Sequence, residues 1–203
     1  MTGQITLRED VKCGRLCHLE GLVLWKRKSR ILLVYLVIFL LTFVVYGRAL
    51  HLGFFFDDMV HFRWLDWHSV PSIWTSAKGL GYYRPLPFSL WKLSYFALGY
   101  FHPFWLHLLN LILHALNAVL LYRLAYVLFD GRQRSFYAVA TASCFITYPF
   151  SYQAVPVVGA LCHPLGTFLI LSSAIAYWEA QTRCSKLLPV SYTHLRAHET
   201  VLD

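Results

Sequence analysis

The chain alternates long uncharged apolar runs with short segments where charge and aromatic rings concentrate. Residues 31–47, ILLVYLVIFLLTFVVYG, carry no charge and follow the basic cluster Lys26, Arg27, Lys28 and Arg30. A helix rises about 1.5 Å per residue, so a hydrocarbon core of about 30 Å takes about 20 apolar residues. This run predicts a spanning helix. A cleaved signal peptide is the competing reading, but the run is long, lies well inside the chain and lacks a small-residue cleavage site. Basic side chains collect on the cytoplasmic side of spans, so the helix runs outward. Residues 104–122, FWLHLLNLILHALNAVLLY, end at Arg123 ahead of Arg132 and Arg134 and predict a return inward. The 44 residues from 135 to 178 contain no Asp, Glu, Lys or Arg. That is about twice what one crossing requires. Two crossings fit, turning near Pro149 and Pro156, with the second over 157–178 and ending beside Arg183 and Lys186.

The loop between the first two spans holds Trp64, Trp67, Trp74, Tyr82 and Tyr83, amphipathic rings that settle at membrane interfaces. Within it, residues 85–101, PLPFSLWKLSYFALGYF, are apolar but carry Lys92 at their middle. A charge at the bilayer centre costs about 2.5 to 3.5 kcal/mol on insertion scales. A crossing there would also place Arg132 and Arg134 outside. The segment therefore predicts a helix lying along the outer leaflet. The expected fold is all-α: a polytopic membrane helical bundle of about four transmembrane helices, with an interfacial helix in the external loop and both termini cytoplasmic. Residues 1–30 form a tail, 31–178 the membrane part and 179–203 a second tail. Residues 189–203, PVSYTHLRAHETVLD, break abruptly with the pattern. They read as an artefactual extension on an N-terminal fragment, with an ordinary polar tail as the alternative.

Composition agrees with the pattern: 58% of residues are hydrophobic and 14% charged, and the mean hydropathy is +0.50, far from a soluble domain. Lys and Arg outnumber Asp and Glu by 18 to 10. In so apolar a chain that excess marks cytoplasmic span ends, and no nucleic-acid partner is expected. The five cysteines show no paired spacing for disulfides or zinc. Cys13 and Cys17 followed by His18 are read as a chance cluster in a tail, with metal binding as the alternative.

Candidate chemistry sits just past the first span, where LGFFFDDMVHF sets Asp57 and Asp58 beside three phenylalanines. The rings exclude water, His61 lies one helical turn on, and Arg84 follows in the same loop within YYRPLPF. Adjacent carboxylates in a partly dry site suit one of them to general-base work or to a divalent metal ion. Arg84 offers a planar fork to a phosphate. A solvated helix end is the structural alternative. In the turn before the last span, His163 stands near Gly159 and Gly166, either reaching the same external site or buried and hydrogen-bonded. His107, Asn110, His114 and Asn117 recur at spacings of 3, 4 and 3, one stripe of the second span. Polar groups in lipid must face protein or water, so the stripe marks a helix seam or a hydrated cavity.

Taken together, FFFDDMVHF, YYRPLPFSLWKLSYFALGYFHPFWLHLLNLILHALNAVLLYRL and ITYPFSYQAVPVVGALCHPLGTFLIL resemble the N-terminal part of GT-C membrane glycosyltransferases. The nearest likeness is to the protein O-mannosyltransferase branch, including members with tetratricopeptide repeats. The resemblance implies inverting transfer of a sugar from a polyprenyl- or dolichyl-phosphate carrier in the membrane lipid to an acceptor on the external or lumenal face. It implies a multi-pass protein of the bacterial plasma membrane or the endoplasmic reticulum. Asp57 or Asp58 would be the base or a metal ligand, and Arg84 would stabilise the leaving phosphate, with His61 and His163 as further substrate contacts. A transporter or flippase using the polar stripe as its pathway is the competing class, and a purely structural bundle a third.

Overall fold

The computed structural model describes residues 29–199 apart from Ala77 and Gly81, with only the backbone of Phe56 and of 183–199. The Cys13, Cys17 and His18 cluster and the basic residues 26–28 lie outside the described residues. Eight α-helices are present among the described residues, with no strand. They are α1 (29–46), α2 (Phe56–Asp66), α3 (Val70–Thr75), α4 (Pro85–Leu98), α5 (Pro103–Leu128), α6 (Arg134–Thr147), α7 (Ser151–Ala154) and α8 (Cys162–Glu199). Short 3-10 turns at Gly47–His51 and Val158–Ala160 extend α1 and precede α8.

Three stretches are long and apolar enough to cross a membrane: Ser29–His51, Pro103–Leu128 and Val158–Thr182. Helix α6 has 14 residues, about 21 Å at a helical rise. The backbone of α8 continues as helix to Glu199, through residue 189 where the sequence changes character.

Helix α5 is the axis. Of its most apolar stretch 56% is buried, against 17% and 22% for the other two long helices. Tyr35 meets Tyr122 edge-on and Tyr46 meets His114, so α1 runs antiparallel to α5. Phe129 touches Tyr137 near one end of α6, while Leu111 and Ile146 share the core near the other, so α6 is also antiparallel to α5. Asn117 bonds Pro164 and Arg123 pairs with Glu179, so α8 runs parallel to it. Ala118, Ala125, Ala138 and Ala142 line the α5–α6 contact, where small side chains let backbones approach.

This arrangement gathers everything from residue 47 to 102, with 148–161, at one end. A second apolar cluster builds that end: Phe62, Leu65, Ile73, Phe88, Trp91 and Leu106, closed by Val158 and Leu161. Proline opens α4 and α5, where the missing N–H costs nothing. Gly99 ends α4 in the left-handed region at φ 79° and donates to Tyr95 O at 2.7 Å. Lys92 is buried on α4, and its Nζ donates to Leu65 O at 2.7 Å, which fastens α4 to the end of α2.

Candidate functional site

Helix α2 begins with two acids in its first turn, where the partial positive charge of a helix N-terminus favours them. Neighbours on a helix diverge by about 100°, and these two part company. Asp58 is fully buried and both its oxygens are engaged. Phe55 N–H donates to Oδ2 at 3.0 Å, and Gly159 N–H donates to Oδ1 at 2.6 Å. The first bond caps the helix locally. The second crosses 101 positions of sequence and ties α2 to the turn ahead of α8. Asp57 is exposed and carries no hydrogen bond or ion pair.

Gly159 is the hub of the site. Its carbonyl accepts from Arg84 Nη1 at 3.4 Å while its N–H serves Asp58. A Cβ at this position would lie 2.9 Å from Asp58 Oδ1 and 3.5 Å from His61 Nδ1, so only glycine permits the approach. The Arg84 guanidinium lies 4.3 Å from the centre of the Tyr82 ring, a cation–π contact. The Tyr82 hydroxyl meets His61 Nε2. A connected series results, Asp58, Gly159, Arg84, Tyr82 and His61, which ends at a buried His61 Nδ1 with no hydrogen-bond partner among the described residues.

His61 is buried among Tyr82, Phe88 and Trp91. Burial lowers its pKa below the usual imidazole value. Asp58 and, more weakly, Asp57 pull it back up, while Arg84 adds to the lowering. The neutral ring is therefore favoured at neutral pH. Beside this series lies a cavity of about 280 Å³ bounded by Arg84, Trp74, Tyr83, Leu86, Cys162 and Leu165. One cationic fork at the edge of an apolar cleft suits a ligand with an anionic head and an apolar body.

Comparison with family models, with curated proteins and with solved structures finds no match. The geometry alone therefore carries the reading of the site.

Of the residues picked from the sequence, Asp58, His61 and Arg84 come together, while Asp57 stands next to Asp58 on α2 with its side chain exposed. His163 is exposed on the first turn of α8, and no hydrogen bond or ring contact joins it to them. Among the described residues no group of three His, Cys, Asp or Glu side chains is clustered to hold a metal ion. Asp58 already receives two N–H donors, which leaves Asp57 as the available carboxylate. One participant was not legible as such. Tyr82 reads as an interfacial ring and bridges His61 to Arg84; its only signal is its place two residues before Arg84 in YYRP.

The polar stripe of α5 is buried along its length. Asn110 Nδ2 donates to Val155 O at 3.3 Å and Val157 O at 2.9 Å, and Asn117 Nδ2 to Pro164 O at 2.8 Å. His107 Nε2 donates to Gly53 O at 3.4 Å. Irregular backbone between apolar helices needs such donors, because no solvent stands by to serve its carbonyls. His107 Nδ1, Asn110 Oδ1, His114 Nε2 and Asn117 Oδ1 have no hydrogen-bond partner among the described residues.

Proposed function

We propose that the chain is the N-terminal part of a lipid-linked-sugar glycosyltransferase of the GT-C type. It would transfer a sugar from a polyprenyl- or dolichyl-phosphate carrier to an acceptor on the external or lumenal face. The observation that carries this reading is the division between neighbours. Asp58 is consumed in holding Gly159, whereas the adjacent Asp57 is an exposed carboxylate with no hydrogen bond or ion pair among the described residues, on the helix whose Asp58 shares Gly159 with Arg84 at the edge of the apolar cleft.

In this reading Asp57 takes the proton of an acceptor hydroxyl as its oxygen attacks the anomeric carbon. The bond from that carbon to the lipid phosphate breaks, and the phosphate leaves with the electron pair. Arg84 stabilises the charge that grows on the leaving oxygen. Attack opposite the leaving group inverts the centre in one step. The contacts to Gly159 and Tyr82 hold Arg84 in place before the carrier arrives, which lowers the ordering cost of binding.

The membrane arrangement belongs to the same proposal. Helix α6 serves as a fourth crossing continued by 148–154. Helix α4 lies along the outer leaflet, consistent with its exposed Leu86, Leu93 and Phe96 on one face. The end holding Arg30, Arg123 and Arg134 faces the cytoplasm, with both termini.

The test is sugar transfer from a polyprenyl-phosphate donor by the full chain in lipid vesicles. Asp57→Asn is expected to abolish transfer while membrane insertion is kept. Full transfer in both Asp57→Asn and Asp58→Asn overturns the reading. A transporter is the second reading, favoured by the four unpartnered polar atoms along α5. It predicts that Asn110 and His114 variants change function more than Asp57 or Arg84 variants do.

A further inference from the structure

At the opposite end of the bundle, α1, α5 and α6 diverge around a cavity of about 940 Å³. Its walls are Ile31, Val34, Tyr35, Tyr122, Tyr126 and Val139, with Arg30 and Arg123 also on its lining. It is the larger cavity and lies far from Asp57. We propose that this groove is a binding site for one anionic phospholipid. The phosphate would sit between Arg30 and Arg134, and the acyl chains along the apolar walls.

Three observations point to that occupant. First, the charge is uncompensated. Arg123 is neutralised by Glu179 at 2.9 Å. Arg30 and Arg134 are exposed, and among the described residues no carboxylate lies within ion-pair distance of either. Arg134 is not on the lining itself but is held at 4.5 Å over the ring of Tyr126, which is, and this leaves the hydrogen-bonding edge of its guanidinium available at the rim. Second, the groove continues into an outward apolar surface: Leu32, Leu33, Leu36 and Val37 of α1 are all exposed. A soluble phosphate would leave these walls wet, and a packed helix would have to bring carboxylates to two arginines. A phospholipid satisfies head and walls together. Third, Tyr35, Tyr122 and Tyr126 lie on the lining, and rings with an apolar body and a polar tip suit the boundary between headgroup and acyl chain.

The experiment is native mass spectrometry of the full chain released from bilayers of phosphatidylglycerol and phosphatidylcholine in equal parts. The wild type is expected to retain one phosphatidylglycerol in preference to phosphatidylcholine. Arg30→Gln with Arg134→Gln, both at exposed positions, should weaken that preference roughly thirtyfold, the change that about 1 kcal/mol per basic side chain implies. Val139→Trp keeps the charge, fills the groove and should displace the lipid. Soluble glycerol phosphate should not compete. Equal retention of the two lipids overturns the proposal, as does phosphatidylglycerol retention unchanged by both sets of substitutions. A lipid-free dimer would also overturn it, by giving the groove to a second copy of the chain.

Discussion

The two ends of the bundle are built from the same apolar helices and close in opposite ways. At the loop-bearing end a buried carboxylate, a glycine, an arginine, a tyrosine and a histidine are linked one to the next. At the basic end the helices part, and Arg30 and Arg134 have no acidic partner among the described residues. One end is thus held by its own chain, and the other is left open by it. Charge in an apolar protein is tolerable either when internal partners absorb it or when it reaches an interface.

The contrast is open to attack at several points. The largest effect is expected at Gly159. Gly159→Ala forces a methyl to within 2.9 Å of Asp58 Oδ1 and should cost about 3 kcal/mol through overpacking and the weakened bond to a buried charge. A thermal melt in detergent reads the loss, and an unchanged midpoint would mean the two elements do not meet there. Asn110→Leu comes next. It strands the Val155 and Val157 carbonyls and should cost about 2 kcal/mol, less than two full hydrogen bonds because unfolded chains in membranes find substitutes.

The pH effect is smaller. The His61 pKa is lowered in the folded chain, chiefly by burial. Below the ordinary imidazole value of about 6.5 the unfolded chain binds the proton more readily. The contribution of His61 is therefore whole above that pH and is lost as pH falls toward the folded pKa. Melts from pH 7 down to pH 5 should show the wild type losing stability that His61→Gln does not lose; parallel curves would contradict it. The smallest effect belongs to the open end. Arg123→Ala breaks an ion pair whose side chains are 45% and 46% exposed, so it should shift stability by less than about 0.5 kcal/mol.

The long helices were legible because an uncharged run of sufficient length has few alternatives in a chain of this composition. So was the burial of His107, Asn110, His114 and Asn117, because their spacing puts them on one stripe whatever the stripe packs against. The difference between Asp57 and Asp58 was not legible. Adjacent positions on a helix face different ways, but which one faces inward depends on Gly159, 101 residues on, and no local pattern carries that pairing. The partner of Lys92 was not legible for a related reason: its ammonium ends on the Leu65 carbonyl, 27 residues back, and no local pattern carries that pairing. His163 shows the reverse. Its nearness in sequence to Gly159 suggested a shared site, but the start of α8 leaves it exposed and unjoined.

The central claim is that Asp58 holds the site together while Asp57 is left for chemistry. The direct test compares Asp57→Asn and Asp58→Asn in one thermal-melt series on the full chain in detergent. Asp58→Asn turns an amide donor toward Phe55 N–H or Gly159 N–H and should lower stability by about 2 kcal/mol, while Asp57→Asn should leave the midpoint where it was. Equal midpoints in the two variants, or a fall in Asp57→Asn alone, would contradict the account.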